Sequence, residues 1–571
     1  MGHASATGPT RSLEVNWLSG YASGVIVPRP VREPLPTWLL LPAAVGGGLL
    51  ATLAYAPFGL WPLAFIAVAA LAWVVGRARR LHTAIGLGYL FGLAFMGTSL
   101  NWQTSIMILS YAGLTLVTAL LYAGIAGMAR ITRRLPGAPV WGAAAWGFGE
   151  WVLSVFPFDG FMWMRLGYSQ VDSPLAGFYP FTGAAFVSFL VALIGHLLAW
   201  TVNAVADRGV RSAPQTIRNR PPRTRTPGFR AGVTGATLLG LLGVGGLGTG
   251  WDAPRTTFGD VQVGWVQGGA PGGGVYGLGP ARTITTNQAK QTDALMSEVE
   301  AGRLPAPDVV VWPENATDMD PRSDALTSRL VEGSVARASV PILVGSIYSD
   351  DTAEERQTVA LWWTRDGVVG TYAKRNLVPF GEWIPFRSVL LPLIPELRYV
   401  GYQSVPGTEP GALAVTLNDG RALSVGVAIC YEVIYPHTLY EAADAGAQLM
   451  VVQSSNAMYQ GTIQIDQQFA VTRVRAAEMR TQILVVTTSG VSGRIGAHGE
   501  VLMRAPDHVG AAGVETMTLA STRTPAMVLG RLLEALVVLA GAASLALGAL
   551  TTRGRPVGGR MVEPPARVPG K

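Results

Sequence analysis

The chain has 571 residues, of which 49% are apolar and only 14% are charged, and this composition excludes an ordinary soluble domain. The net charge of +7 is unevenly spread: residues 1–250 hold 17 basic and 6 acidic groups, whereas residues 251–525 hold 20 basic and 28 acidic groups. The basic groups form no groove with interleaved aromatic residues, so we expect no nucleic-acid partner. The single cysteine excludes a disulfide within the chain.

Eight uncharged apolar stretches approach or exceed the roughly 18 residues that a membrane-spanning helix needs. Seven precede residue 251 and one follows residue 525, which predicts a polytopic α-helical membrane domain interrupted by a large insertion. The stretches lie near residues 36–55, 60–76, 83–100, 107–128, 139–157, 175–203, 231–250 and 526–550. Glu150 falls in the fifth stretch, where it is either an interfacial side chain or a carboxylate that faces the bundle interior.

Arginine placement predicts the topology. Three arginines follow the second stretch, three follow the fourth, and seven lie at positions 208, 211, 218, 220, 223, 225 and 230, between the sixth and seventh. The positive-inside rule therefore puts both termini in the cytoplasm and residues 251–525 on the extracytoplasmic side of the cell membrane. The polar tails, 1–35 and 551–571, are predicted to be disordered and cytosolic, and residues 1–35 lack the apolar core of a signal peptide.

Between residues 251 and 525, short β-branched runs alternate with amphipathic segments. Strands are predicted at 261–267, 309–314, 342–347, 360–364, 370–374, 424–430, 449–454 and 483–488. Helices are predicted at 285–300, 324–338, 437–445 and 464–479. Nearly continuous apolar strands that alternate with helices indicate an α/β domain whose sheets are covered by helices.

Three of these predicted strands end on groups that can carry chemistry. Trp312-Pro-Glu314 ends one strand on a carboxylate, Tyr372-Ala-Lys374 ends a second on an amine, and the only cysteine, Cys430, ends a third. Functional groups of α/β folds collect at the carboxyl ends of strands, and a cysteine beside charged groups is typical of covalent catalysis. A small buried hydrophobe remains the alternative for Cys430 alone. The sequence spacing of His437 and His498 indicates neither a Cys-His protease nor a metal site.

Glu314, Lys374 and Cys430 belong to three motifs, W-P-E, Y-x-K-x-x-L-V-P-F-G-E and C-Y-E. Glu314 lies 60 residues before Lys374, and Lys374 lies 56 residues before Cys430. Together the motifs resemble the carbon–nitrogen hydrolase (nitrilase) superfamily. Joined to a large membrane domain, they resemble its apolipoprotein N-acyltransferase branch, in the form found in actinobacteria, over residues 36–550. The resemblance implies a four-layer α-β-β-α sandwich, a Glu-Lys-Cys triad, and no cofactor or metal.

The resemblance also implies a reaction. An acyl chain passes from a phospholipid to Cys430 as a thioester, and then to the α-amino group of the amino-terminal diacylglyceryl-cysteine of a lipoprotein. Glu314 is the general base, and Lys374 lowers the thiol pKa and stabilises the oxyanion, with the Tyr431 N–H as a second donor. Glu382 and Glu432 support the triad, and Phe380 lies near the acyl chain.

One segment departs from the family pattern Ser-Asn-Asp-Ala-Trp-Phe-Gly. Here Ser455-Asn-Ala-Met-Tyr-Gln-Gly461 keeps Asn456 but replaces the tryptophan by Tyr459, which predicts altered contacts with the acyl chain. Two other functions stay open. A membrane-anchored amidase or nitrilase would give the thioester to water, and a non-catalytic scaffold would partner a polyprenol-phosphate mannose synthase through its cytosolic loops.

Overall fold

The computed structural model describes residues 35–209 and 227–553. The predictions for residues 1–34 and 554–571, and for the arginines at 211, 218, 220, 223 and 225, lie outside these ranges. Each of the eight apolar stretches contains a helix. These are α1 (Thr37–Leu53), α2 (Pro62–Arg77), α3 (Leu81–Ser99), α4 (Ile108–Thr132), α5 (Ala138–Val155), α6 (Tyr179–Gly209), α7 (Pro227–Thr249) and α13 (Pro525–Arg553).

Within the described ranges, five segments are long and apolar enough to cross a membrane: α3, α4, Pro174–Val205, α7 and Pro525–Leu550. The helices α1 and α2 are apolar but shorter, with 17 and 16 residues, and α5 has 18 residues and buries Glu150. These helices are compatible with a membrane domain. The number that spans the bilayer stays a prediction.

Small residues allow the helices to approach closely, as membrane bundles require. A Cβ atom on Gly88 of α3 would lie 2.5 Å from the Tyr122 carbonyl oxygen of α4. A Cβ atom on Gly541 of α13 would lie 2.6 Å from the Ala144 carbonyl oxygen of α5. The last helix therefore packs directly on the bundle formed by the first seven.

The region between α7 and α13 contains two sheets, which we call the α/β region. Its helices are α8 (Thr283–Glu300), α9 (Ala325–Ala338), α10 (Arg387–Leu393), α11 (Pro436–Asp444) and α12 (Gln464–Met479). Its strands are β1 (Arg255–Gln267), β2 (Val309–Val311), β3 (Ile342–Asp350), β4 (Glu355–Thr364), β5 (Gly367–Ala373), β6 (Gln403–Ser404), β7 (Ala412–Thr416), β8 (Ala422–Ile429), β9 (Leu449–Ser454), β10 (Ile483–Thr487), β11 (Gly493–Ile495), β12 (Val501–Arg504) and β13 (Ala511–Thr522).

The first sheet has the order β13-β1-β2-β3-β4-β5, with β6 beside β4, and the second has the order β12-β11-β10-β9-β8-β7. The central strands β1–β2–β3 and β8–β9–β10 are parallel, and most outer pairs are antiparallel. Val311 and Trp362 of the first sheet pack with Val427 and Val451 of the second in one buried core. The helices α8 and α9 cover the outer face of the first sheet, as the predicted sandwich requires.

The outer face of the second sheet is covered by α11 and α12, and these helices also meet the bundle. Val452 of β9 and Val474 of α12 belong to the same hydrophobic cluster as Phe91 and Trp146 of the bundle. The bundle and the α/β region therefore share one apolar core.

The structure differs from the predicted elements mainly at sheet edges. The strands β6, β7, β11, β12 and β13 and the helix α10 were not predicted. The strand β7 alternates partly buried, buried and exposed positions, and β12 is mostly exposed, so neither has the continuous apolar run of a central strand. The strand β2 ends at Val311, which leaves Glu314 three residues beyond it rather than at its last position.

Candidate active site

The three predicted reactive residues meet between the two sheets. Lys374 follows β5 directly, and its Nζ lies 3.0 Å from Glu314 Oε1 and 2.8 Å from Glu382 Oε1. Cys430 follows β8 directly in the second sheet and packs against the core between the sheets, where the charges of Glu314 and Lys374 act on its thiol. Lys374 is 1% exposed and Glu314 is 4% exposed, so these charges interact with little screening by water.

The Glu314 carboxylate is held at both oxygens. Its Oε1 accepts from Lys374, and its Oε2 accepts from the Ser455 backbone N–H at 2.9 Å. The chain that carries it crosses β3 at Gly345, where a Cβ atom would lie 2.0 Å from the Pro313 carbonyl oxygen. A glycine is therefore required at this crossing, which aims Glu314 at the second sheet.

The cluster holds a charged lysine and a protonated thiol. Burial works against the charge of Lys374, but the carboxylates of Glu314 and Glu382 outweigh it and raise its pKa well above the usual value. Burial also raises the pKa of the Cys430 thiol, and the charge of Glu314 raises it further, whereas Lys374 lowers it. Lys374 therefore lowers the pKa of the thiol, as predicted, but burial and the charge of Glu314 raise this pKa by more than Lys374 lowers it. Moving the proton from Cys430 to Glu314 leaves the net charge of the cluster unchanged.

Glu432 is fully buried and supports the cluster through its hydrogen bonds. Its carboxylate accepts from the Tyr372 hydroxyl at 2.9 Å and from the backbone N–H groups of Arg375 and Ile429, both at 2.8 Å. Burial raises the pKa of this carboxyl, and the backbone donors and Lys374 act in the opposite direction. Glu432 therefore ties the end of β5, which carries Lys374, to the end of β8, which carries Cys430.

Cys430 begins a short 3-10 helix, Cys430–Ile434, with a backbone φ of 54°. A left-handed conformation is uncommon outside glycine and marks functional sites when the surroundings hold it in place. Three further residues in the segments around the cluster, Asn315, Phe380 and Asn456, also have φ between 52° and 62°. The Tyr431 N–H stands at the second position of the helix, where no intrahelical acceptor exists.

The turn at Cys430 is built against residues of the bundle. The Tyr431 ring is stacked with Trp163 at a centroid distance of 6.3 Å, and its hydroxyl donates to the Gly160 carbonyl oxygen at 3.2 Å. Both partners lie in the connection between α5 and α6. The segment before α6 is therefore part of the site.

Gln467 of α12 makes a second junction between the two parts. Its Oε1 accepts from the indole N–H groups of Trp102 at 3.1 Å and Trp163 at 2.7 Å, and its Nε2 donates to the Ser99 carbonyl oxygen at 3.1 Å. The Trp102 ring meets Tyr459 edge to face at 5.2 Å. The sequence did not predict a role for Trp102, Trp163 or Gln467, since no local motif links positions that lie 304 and 365 residues apart.

Comparison with known proteins agrees with this architecture. The family model for the apolipoprotein N-acyltransferase N-terminal domain matches residues 47–197, and the carbon-nitrogen hydrolase model matches residues 281–523. The apolipoprotein N-acyltransferase of Mycolicibacterium smegmatis is 32% identical over 89% of this chain and 85% of that protein. The chain belongs to the apolipoprotein N-acyltransferase family.

Another apolipoprotein N-acyltransferase, from Pasteurella multocida, is 25% identical over 85% of this chain and 91% of that protein. A solved structure of an amidase from Nesterenkonia sp. AN1 is 17% identical, with a TM-score of 0.33 over 47% of this chain and 92% of that chain. Membership of the apolipoprotein N-acyltransferase family makes the chain an acyltransferase of lipoprotein biosynthesis. Neither family model and neither acyltransferase names a polyprenol-phosphate mannose synthase, so that partner is not supported.

The other predicted residues of this apolipoprotein N-acyltransferase have distinct surroundings. Phe380 lies 5.7 Å from the ring of Phe158 in the segment before α6. Tyr459, the residue that replaces the family tryptophan, packs its ring against Trp102, and burial raises the pKa of its hydroxyl. Asn456 instead donates to Gln464 at 2.9 Å and Gln468 at 2.7 Å on α12, so its amide shapes the loop and does not join the cluster.

Glu150 of the acyltransferase faces the bundle interior. Its Oε1 accepts from the Trp146 indole at 3.0 Å and from the Leu166 N–H at 2.8 Å, and Arg165 lies 3.7 Å from its other oxygen. These contacts anchor the segment that carries Trp163. Glu150 therefore supports the site through that segment.

Proposed function

We propose that the chain transfers an acyl group from a phospholipid to the α-amino group of the amino-terminal diacylglyceryl-cysteine of lipoproteins, through a thioester on Cys430. The observation that carries the proposal is the buried ion pair of Lys374 and Glu314 at the site between the two sheets where Cys430 lies, so that both charges act on its thiol. This cluster lies in a chain of the apolipoprotein N-acyltransferase family and against its apolar bundle.

In the first half-reaction, Glu314 accepts the thiol proton as Cys430 Sγ attacks the ester carbonyl carbon. The oxyanion is stabilised by Lys374, which remains charged, and by the Tyr431 N–H. When the tetrahedral intermediate collapses, the carbon–oxygen bond breaks and Glu314 returns its proton to the leaving glycerol oxygen. The products are a lysophospholipid and the Cys430 thioester.

In the second half-reaction, the neutral α-amine of the lipoprotein attacks the thioester carbonyl carbon. Glu314 takes the proton that the nitrogen loses and delivers it to Sγ as the carbon–sulfur bond breaks. An amide and the free thiol result, so one base and one fixed cation serve both steps. Because each proton passes only between Glu314 and the reacting atoms, neither step builds a new net charge in a buried site.

The chain should add one acyl group to the amino terminus of a lipoprotein. In a strain lacking this gene, mass spectrometry of one lipoprotein's amino-terminal peptide should find only the diacylglyceryl form, and the wild-type gene should restore a third acyl chain. A Glu314→Gln gene expressed to the same level serves as the matched control and should not restore it. An amino terminus triacylated equally with and without the gene would refute the proposed function.

We also propose that both termini are cytoplasmic and that the α/β region is extracytoplasmic, on the basis of the arginine asymmetry. The test uses single thiols in a Cys430→Ser background. Thr224→Cys should react with an impermeant maleimide only after cell lysis, whereas Asp350→Cys, at an exposed position, should react in intact cells. Labelling in the opposite order would put the site in the cytoplasm and contradict this topology.

A further inference from the structure

A cavity of about 520 Å³ lies at the junction of the bundle and the α/β region. Its walls come from α5, the start of α6, α13 and the segment around α11, with Trp151, Ala184, Ala535 and Tyr440 among them. Glu314, Lys374 and Cys430 are not among the lining residues. The cavity is therefore separate from the reaction site.

The charged groups that line the cavity are balanced in sign. Arg475 and Glu478 are bonded to each other, and Arg165 Nη2 lies 2.8 Å from Glu534 Oε1. Arg531 remains, with a side chain 75% exposed and only a 3.4 Å contact to Glu441 outside the cavity. The carboxylate of Asp159, at an exposed position, also lines the cavity and forms no ion pair with any side chain of the described ranges. The cavity thus offers one loosely held cation and one available anion.

The helices beside the cavity expose large apolar side chains. Val155 and Phe156 at the end of α5 are 50% and 68% exposed, and Leu532 and Leu536 of α13 are 56% and 53% exposed. Gly530 and Ala535, two small residues of α13, line the cavity on the same helix. A cavity that holds charged side chains within a largely apolar lining, with exposed apolar side chains at its border, fits an amphiphile whose charged head enters and whose chains stay outside.

We propose that this cavity binds the headgroup of a zwitterionic phospholipid, with its phosphate on Arg531 and its ammonium on Asp159. The acyl chains lie along the exposed faces of α5 and α13. A purely anionic headgroup would leave Asp159 facing a like charge, and a neutral lipid would leave both charged groups without partners. This lipid is not the acyl donor of the reaction, since the sulfur does not line the cavity.

The bound headgroup would contact residues that hold the short 3-10 helix Cys430–Ile434 in place. Arg475 lines the cavity and donates to the carbonyl oxygens of Val433 at 2.8 Å and Ile434 at 3.2 Å, at the end of the helix that begins at Cys430. Tyr435 also lines the cavity, and its ring lies 5.6 Å from that of Tyr431. The lipid would therefore support this helix without meeting the reacting atoms.

The test is photolabelling of the full-length protein in detergent with a phosphatidylethanolamine that carries a diazirine in one acyl chain. A Cys430→Ala background keeps the probe from being consumed, so the readout does not depend on acyl transfer. We expect label on peptides that contain residues 151–156 and 528–536. Arg531→Gln and Asp159→Asn should each lower this labelling about tenfold, the effect of losing one charge-assisted hydrogen bond.

Arg523→Gln is the matched control, because Arg523 is 69% exposed, lies just before α13 and contacts Asp444 rather than the cavity. It should leave the labelling unchanged. Excess dioleoylphosphatidylethanolamine should compete with the probe at least about tenfold better than dioleoylphosphatidylglycerol, which lacks the ammonium. Labelling that survives both cavity substitutions would overturn the site, and equal competition by the two lipids would overturn the zwitterionic headgroup.

Discussion

Replacing Cys430 by serine should abolish acyl transfer, with a loss of roughly 10⁴-fold or more, since it removes the proposed nucleophile of the first half-reaction, which is also the leaving group of the second. The wild-type protein incubated with phospholipid should carry an acyl adduct that hydroxylamine releases at neutral pH. Because Cys430 is the only cysteine of the chain, a thioester adduct can be assigned to it without ambiguity. Mass spectrometry of the intact protein before and after hydroxylamine measures this adduct.

His498→Gln provides the matched control for that experiment. This histidine contacts the Thr249 carbonyl oxygen at 2.8 Å and Asp252 at 3.0 Å, away from the cluster. We expect it to retain both the adduct and the activity. Full activity in Cys430→Ser would instead refute the thioester mechanism.

Lys374→Met and Glu314→Gln should shift the reactivity of the Cys430 thiol in opposite directions. Lys374 lowers the thiol pKa, so its loss should move the midpoint of iodoacetamide labelling to higher pH and slow the reaction at neutral pH. Glu314 raises the thiol pKa, so its loss should move the midpoint to lower pH. Both variants should lose turnover, by about 10²–10³ for the oxyanion donor and about 10²–10⁴ for the base.

Glu382→Gln separates the charge of Glu314 from its function as a base. Glu382 contacts the same lysine at 2.8 Å and also raises the thiol pKa, so its loss should lower the labelling midpoint as Glu314→Gln does. Because Glu382 carries no proton in the mechanism, its loss should reduce turnover less than the loss of Glu314. Shifts of the Lys374 and Glu314 variants in the same direction would contradict the assigned roles.

Two elements that carry the cluster, β2 and β8, were predictable as buried parallel strands, whereas β5, an antiparallel edge strand, was predictable from the motif that includes Lys374. Glu314, Lys374 and Cys430 follow apolar runs, and their meeting point follows from where strands end in α/β folds. The balance of charges was not predictable from the motifs. Burial and two carboxylates oppose Lys374 at the sulfur, and only the packed structure gives their sum.

The junction with the bundle could not be read from the sequence for a different reason. No shared sequence pattern links the segments that contain Trp102, Trp163 and Gln467. Each of these residues, taken alone, looks like an ordinary aromatic or polar residue. Their contacts arise from tertiary packing, which depends on how two large parts of the chain fit together. Edge strands such as β7 were missed because their partly exposed positions weaken the apolar signal.

The three hydrogen bonds of Gln467 limit how modular this enzyme can be. Residues 251 and 525 look like natural cut points, because the chain leaves the helices at one and returns at the other. In a fragment cut out at residues 251 and 525, Tyr431 would nonetheless lose its stacking with Trp163, and Gln467 would lose its indole and carbonyl hydrogen-bond partners. The division visible along the chain is not a division in space. Chimeras that exchange this fragment between relatives should therefore exchange the segments around Trp102 and Trp163 with it.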